Sequence, residues 1–401
     1  MASVEQAGAL AGLRVLDLTR ILAGPLCTQM LGDMGADVIK VEPPGTGDDT
    51  RTWGPPFIEG EAAYFLGLNR NKRSITLNMA AKPGQEILAK LIGQCDVLIE
   101  NFKLGTLEKW GFGNDWLEAH APRVIRCSVT GYGSTGPKAA LPGYDFILQA
   151  ESGLMSICGN ADGPPMKYGV AIVDVCTGML ACNAVLAALQ ARHTTGKGQH
   201  VEVSLYDSSL AMLVNVASNH LATGRDAGRF GNGHPNVVPY TVYATADGMM
   251  AVAVGNDAQF AKFAALLGKH EWASDPKYVR NAERVANRAT LDTAIEESLR
   301  GDKTGSWLEK LKQAGIPCGR INSVAQALSD PHTVARDMVR TVNHPTAGEV
   351  KMVGIPFRFS ATPASVRRPP PTLGQHTEQV LRDMLGFSDA RIDELRAQKV
   401  I

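Results

Sequence analysis

Six short runs rich in aliphatic and β-branched residues punctuate the first half of the chain: LRVLDLT (13–19), DVIKVE (37–42), KRSITLN (72–78), DVLIENF (96–102), RVIRCSVT (123–130) and QHVEVSL (199–205). Between most of them the apolar positions fall at helical spacing, as in PLCTQMLGDMGA after the first run. Strands of this kind alternating with helices predict a parallel sheet covered on both faces. Such sheets gather ligands beyond the carboxyl ends of their strands. Chemistry is therefore expected in the loops TRILAGP, EPPGTGDD, ENFKLG and TGYGSTGPK.

Past Gly224 the pattern changes. GRDAGRFGNGHPNVVP is rich in glycine and polar residues and reads as a linker or binding loop. YTVYATADGMMAVAVG predicts a hairpin turning at Asp247 and Gly248. Helical spacing follows over 257–268, 288–300 and 304–314, so 225–330 is expected to form a smaller α+β lobe. VGIPFRFS (353–360) is a further expected strand, RRPPP (367–371) a rigid connector, and the tail two short helices. No repeat of fixed period occurs. With 401 residues the chain exceeds the usual size of one domain.

Composition narrows the partners. Lys plus Arg and Asp plus Glu are 40 each, which gives no indication of a nucleic acid or an anionic membrane as partner. The cysteines (Cys27, Cys95, Cys127, Cys158, Cys176, Cys182 and Cys318) are odd in number and form no C-x-x-C, as expected of free thiols in a reducing compartment. The start MASVEQAGALAGLR lacks the features of a secretory signal, so a cytoplasmic or organelle-matrix location is expected. The apolar stretch 170–191 approaches membrane-spanning length. It contains Asp174, Thr177, Gly178 and Asn183, and reads as a buried core helix.

Several catalytic patterns fail. Gly131, Gly133 and Gly136 give a formal G-x-G-x-x-G after a predicted strand, but Pro137, Pro142 and Gly143 interrupt the helix that a dinucleotide site requires. Pro137 also stands where a P-loop needs lysine. The histidines form no H-E-x-x-H and no cluster with cysteines, so no metal is expected. No G-x-S-x-G elbow is present. The carboxylates remain. Asp174 opens the apolar helix and has two compatible readings. As an N-cap it accepts a free backbone N–H. As a nucleophile it attacks a thioester, with the helix end expected to hold it ionised and apolar surroundings to exclude water. Tyr144 and Asp145 precede it by a loop and a helix; they either pack and cap, or orient the reacting groups. The basic run Asn69–Arg73 is either solvated surface or a phosphate site.

These segments together resemble the class III CoA-transferases, a family that includes formyl-CoA transferase, carnitine CoA-transferase and α-methylacyl-CoA racemase. The resemblance runs over nearly the whole chain. It is carried by LDLTRILAGPLCTQMLGDMGADVIKVE, NRNKRSITLN, DVLIENF, SVTGYGSTGP, GYDFILQAESGL, VDVCTG, ARHTTGKGQHVEVSLYD, AGIPCGRINS and LGQHT. It implies a Rossmann-like large domain formed by 1–224 and 331–401, a small domain at 225–330, and an interlocked homodimer. It implies that Asp174 is the nucleophile, passing through an acyl anhydride and an aspartyl-CoA thioester, with Tyr144 and Asp145 beside it. Contacts to CoA would fall on Leu22, Ala23, Leu77, Asn78, Asn101, Phe102, Lys103 and Lys109. Coenzyme A thioester enters as substrate, with no permanently bound cofactor.

Departures from the family pattern bear on substrate. Leu22 replaces a glutamine of formyl-CoA transferase, Pro43 an arginine and Pro142 a lysine, and its glycine run in the small domain is missing, which disfavours formate and oxalate. The racemase requires a histidine where Tyr144 stands, and a phenol with a pKa near 10 is a poor base. The segments GTGDDTRTWGPPF, FGNGHPNVVPY and RRPPPTLGQHT resemble the succinyl-CoA:glutarate branch. A dicarboxylate needs a cation for its second carboxylate; Arg51, Arg229 and Arg320 are the candidates.

Overall fold

The computed structural model of the chain describes residues 7–401. The six expected runs form one sheet: β1 (Arg14–Asp17), β2 (Asp37–Glu42), β3 (Lys72–Thr76), β4 (Val97–Glu100), β5 (Ile125–Thr130) and β6 (His200–Ser204). They lie in the order β3-β2-β1-β4-β5-β6, and every pair is parallel. The direction of winding reverses between β1 and β4, where an open parallel sheet leaves a crevice beyond its carboxyl ends.

Aliphatic runs become central strands here because both faces are covered. On one side Leu16, Ile39, Ile75 and Leu98 pack with Ile87, Leu88 and Leu91 of a helix at Lys82–Ile92. Val380, Leu381, Ile392 and Leu395, from the tail helices Thr377–Leu385 and Asp389–Ala397, join the same core. Two further helices matter for chemistry: α1 (Ala23–Asp33), directly after β1, and α2 (Ile172–Thr195), directly before β6. By length and apolarity α2 alone among the described residues qualifies as a membrane span. It buries Val173, Ala181, Cys182, Val185 and Ala188, and α1 is its main helical neighbour.

The chain divides into two compact units. One holds the parallel sheet and comprises the described residues through Ser152, Gly169–Met212 and Pro331–Ile401; the other comprises Gly153–Tyr168 and Leu213–Asp330. Thus 153–168 and the helix Val214–Thr223 group with the second unit, although the sequence pattern assigned them to the first. In the second unit β7 (Tyr240–Ala244) and β8 (Met249–Ala253) form the expected hairpin. A third strand, β9 (Cys318–Arg320), extends it. Phe260, Phe263, Leu291, Ile295 and Trp307 fill its core.

The strand expected at 353–360 does not form. The ladder instead pairs Val339–His344 with Gly348–Val353, and ends where the Gly354 N–H donates to the Met338 carbonyl at 2.9 Å. Pro356 has no N–H with which to continue it.

Candidate active site

Beyond β1 the chain turns sharply into α1, and the polar groups of Thr19, Arg20 and the Ile21 N–H are held. Thr19 donates through its N–H (2.9 Å) and hydroxyl (2.5 Å) to Asp17, while its carbonyl accepts from Lys40 Nζ at 2.8 Å. The Asn101 side chain brackets Arg20, accepting from its N–H at 3.1 Å and donating to its carbonyl at 2.9 Å. The Ile21 N–H donates to the Asp48 carboxylate at 3.2 Å. These contacts hold Ile21 at φ 74°, a left-handed conformation that costs a β-branched residue on the order of 1–3 kcal/mol. The turn delivers Leu22 as N-cap of α1, with no side chain capping the first N–H groups.

Asp174 does not cap α2. The N-cap is Ala171, and Asp174 is the third residue of the helix. Asp145 does the capping from its own short helix, Asp145–Glu151. Its Oδ1 accepts from the N–H groups of Val173 (2.7 Å) and Asp174 (3.2 Å), and its Oδ2 accepts from Gln149 Nε2 at 2.6 Å. The Asp174 carboxylate is thereby left without a hydrogen-bond partner among the described residues.

Two glycine contacts bring the pieces together. A Cβ on Gly178 would lie 2.5 Å from the Ala23 carbonyl oxygen, so α2 crosses α1 backbone against backbone, one turn after Asp174. A Cβ on Gly131 would lie 2.7 Å from the Gly143 Cα. That crossing closes the loop 131–143 and delivers Tyr144. No helix follows Gly136 until Asp145, as the interrupting prolines predict.

The result is a cavity of about 260 Å³ at the carboxyl ends of β1, β4 and β5. Of the residues expected from sequence, Leu22, Ala23, Asn101, Phe102, Lys103, Tyr144 and Asp174 line it. Arg20, Ile21, Thr130, Gly131 and Leu205 line it too. Asp145 is buried and acts on the α2 N-terminus.

Burial, and then the negative charge of Asp145, pushes the Asp174 carboxyl up to about 7. This reverses the expectation that the helix end keeps it ionised. Tyr64 shares the same field: burial, then Asp174, Asp145 and Asp48, push its phenol upward. Tyr64 carries no signal in the sequence beyond being one of two adjacent aromatics in EAAYFLG.

Other expected residues lie elsewhere. Leu77 is packed in the core beneath the sheet. The Asn78 N–H donates to the Val400 carbonyl at 2.7 Å. Lys109 ends the helix Thr106–Lys109 on the surface. Arg51 is committed: its Nε and Nη2 donate to Glu42 at 2.7 and 2.8 Å, and its guanidinium lies 3.7 Å over the Phe65 ring. Arg229, in the second unit, donates to the carbonyls of Asn160, Ala161 and Gly163 and ties that loop. Arg320 lies on β9 opposite Met250. The basic run 69–73 is a buried framework: Arg70 pairs with Asp33, Lys72 with Asp17 and Arg73 with Asp37. No metal-binding cluster occurs among the described residues.

Comparison with known proteins gives a consistent picture. The family description "CoA-transferase family III" matches residues 10–377. The chain is similar to the succinyl-CoA:glutarate CoA-transferase of Mus musculus, 43% identical over 392 residues, which span 98% of this chain and 90% of that protein. It is similar to the succinate–glutarate CoA-transferase of Agrobacterium fabrum, 44% identical over 382 residues, spanning 94% and 95%. A crystal structure of a CAIB/BAIF family protein from Brucella suis superposes with a TM-score of 0.82 at 44% identity, covering 94% of this chain and 100% of that one.

Proposed function

Because this chain belongs to CoA-transferase family III, and is an enzyme of that class, we propose that it moves coenzyme A from succinyl-CoA to a dicarboxylate such as glutarate, with Asp174 as covalent carrier. The observation that carries the mechanism is the Asp174 carboxylate itself, which lines the cavity with no partner while Asp145 occupies the helix end behind it.

An Asp174 oxygen attacks the thioester carbonyl of the donor, and the C–S bond breaks to give an acyl-aspartyl anhydride and CoA thiolate. The thiolate attacks the Asp174 carbonyl, releasing the donor acid and leaving an aspartyl-CoA thioester. The acceptor carboxylate attacks that thioester to form a second anhydride, and the thiolate then takes the acceptor acyl group. Asp174 is regenerated and no proton is consumed. A carboxylate with a raised pKa is a stronger nucleophile than an ordinary one, yet is substantially ionised near pH 7. Exclusion of water by the bound substrate would protect the anhydride.

Succinyl and glutaryl groups enter this reading through the names of the relatives. Tyr144, where racemisation would need a base, supports transfer over α-proton exchange. CoA is a substrate; Leu22, Ala23, Asn101, Phe102 and Lys103 would line its reactive end, and Asn78 and Lys109 its further length, while the buried Leu77 side chain supports the strand beneath. A second copy of the chain would cover the exposed apolar residues Phe146, Ile147, Met179, Leu180 and Leu210 of the first unit. A cytoplasmic site of action suits a soluble metabolic transferase.

A panel of mono- and dicarboxylic acceptors against succinyl-, acetyl- and malonyl-CoA, read by mass spectrometry, tests the reading. Glutaryl-CoA from succinyl-CoA is expected. Full activity in Asp174→Ala, or rapid α-deuterium exchange of a 2-methylacyl-CoA without acceptor, would overturn it.

A further inference from the structure

A dicarboxyl group held at Asp174 by one end presents its second carboxylate to the cavity wall, and the wall must neutralise it. We propose that Arg20 is the cation that receives it; the proposal rests on the dicarboxylate reading above. Arg20 and Lys103 are the cationic residues lining the cavity with Asp174. At about 30 Å³ per water, 260 Å³ holds roughly nine waters. That is the scale of a four- or five-carbon diacid, so a group bonded at Asp174 shares the cavity with the lining cations.

Arg20 is built for the task in three respects. Its main chain is fixed on both sides by Asn101, so the guanidinium starts from a defined point. Its one side-chain partner among the described residues is Asp49, at 2.9 Å from Nη1, and both members are exposed (54% and 45%). Ion pairs of that kind contribute little and exchange readily. Further N–H donors stay available for a carboxylate, which arginine can take with two parallel bonds. Lys103 offers a mobile point charge on an exposed loop. Arg51 has no such freedom, with both edge donors already on Glu42. In this arrangement Asp49 stands in for the substrate carboxylate when the cavity is empty. Specificity for a diacid then follows from exchanging an exposed partner for a less hydrated one.

The test uses the full chain and two donors of equal length, succinyl-CoA and butyryl-CoA, with kcat/KM as readout. Arg20→Met should lower kcat/KM for succinyl-CoA by about 100-fold and leave butyryl-CoA within about threefold, so that the preference collapses. Arg20→Lys should restore part of it. Asp49→Asn, which removes the competing partner without touching the cavity, should lower KM for succinyl-CoA and leave butyryl-CoA unaffected. Equal losses on both donors in Arg20→Met would overturn the proposal and assign Arg20 to CoA or to the fold. So would an unchanged preference. A wild-type enzyme that does not prefer succinyl-CoA would instead overturn the dicarboxylate reading, an outcome visible without any variant.

Discussion

Two groups of buried carboxylates sit at the same end of the parallel sheet and are treated in opposite ways. Under the turn from β1 to α1, Asp17 meets Lys72 at 3.1 Å, Asp48 meets Lys40 at 2.8 Å, and Glu42 meets Arg51 at 2.7 Å. Burial alone would raise the pKa of Asp17, but Lys72, Lys40 and two hydroxyl donors outweigh it and hold it at about 2. Burial likewise works against the charge on Lys40, and Asp48, Asp17 and Glu42 reverse it. Across the crevice, Asp145 and Asp174 are both acids, no lysine or arginine among the described residues bonds either of them, and Asp174 rises to about 7. Matched charges are scaffolding: they fix the strained Ile21 and the start of α1. The unmatched pair stores the destabilisation that a reactive carboxylate requires.

Breaking the matched set should have the largest effect on the fold. Lys40→Met strips Asp48 and the Thr19 carbonyl of a fully buried partner, and a broken buried pair costs about 3–5 kcal/mol. A fall of that size in the unfolding free energy obtained from urea denaturation is expected, with activity lost alongside it.

Breaking the unmatched set should do the reverse. A carboxyl whose folded pKa lies above its unfolded value binds a proton in the native state that the unfolded chain lacks. Its penalty therefore grows as pH rises from about 4 to about 7 and is complete above that. Asp174→Asn should add roughly 2–3 kcal/mol at pH 8, discounted for partial exposure, and almost nothing at pH 4. Melting temperatures at the two pH values check this. In the wild type the same group should give kcat/KM a rising limb near pH 7.

Gly178→Ala forces a methyl group against the Ala23 carbonyl. Overpacking of this kind costs about 1–3 kcal/mol, and kcat should fall more than stability as the starts of α1 and α2 separate. Asp145→Asn is the mildest change. The amide oxygen can still cap α2, while the negative charge beside Asp174 is gone. The rising limb should move to lower pH by up to about one unit, with stability within about 1 kcal/mol; an unmoved limb would mean burial alone sets the Asp174 pKa.

The sheet was legible because its strands are aliphatic runs separated by helical spacing, and local pattern decides such elements. The loops at the strand ends were legible for the same reason, and most of the cavity lining comes from them. What escaped depends on contacts between distant positions. Asp145 caps a helix that begins 27 residues later, so Asp174, read as a possible cap, is free of that duty. The basic run 69–73 reads from sequence as solvated surface or a phosphate site, and is neither, because its acids, Asp33, Asp17 and Asp37, come from other elements. Arg51 looked available for the same reason. The run 353–360 has strand composition but contains Pro356, and its partner ladder ends at Val353.

Trapping the covalent enzyme decides whether Asp174 carries coenzyme A. The enzyme is incubated with succinyl-CoA alone, quenched, digested and mapped by mass spectrometry. A coenzyme A adduct in thioester linkage is expected on the peptide carrying Asp174, absent in Asp174→Asn and discharged when glutarate is added before the quench. An active enzyme that shows no adduct, or an adduct on any other residue, would contradict it.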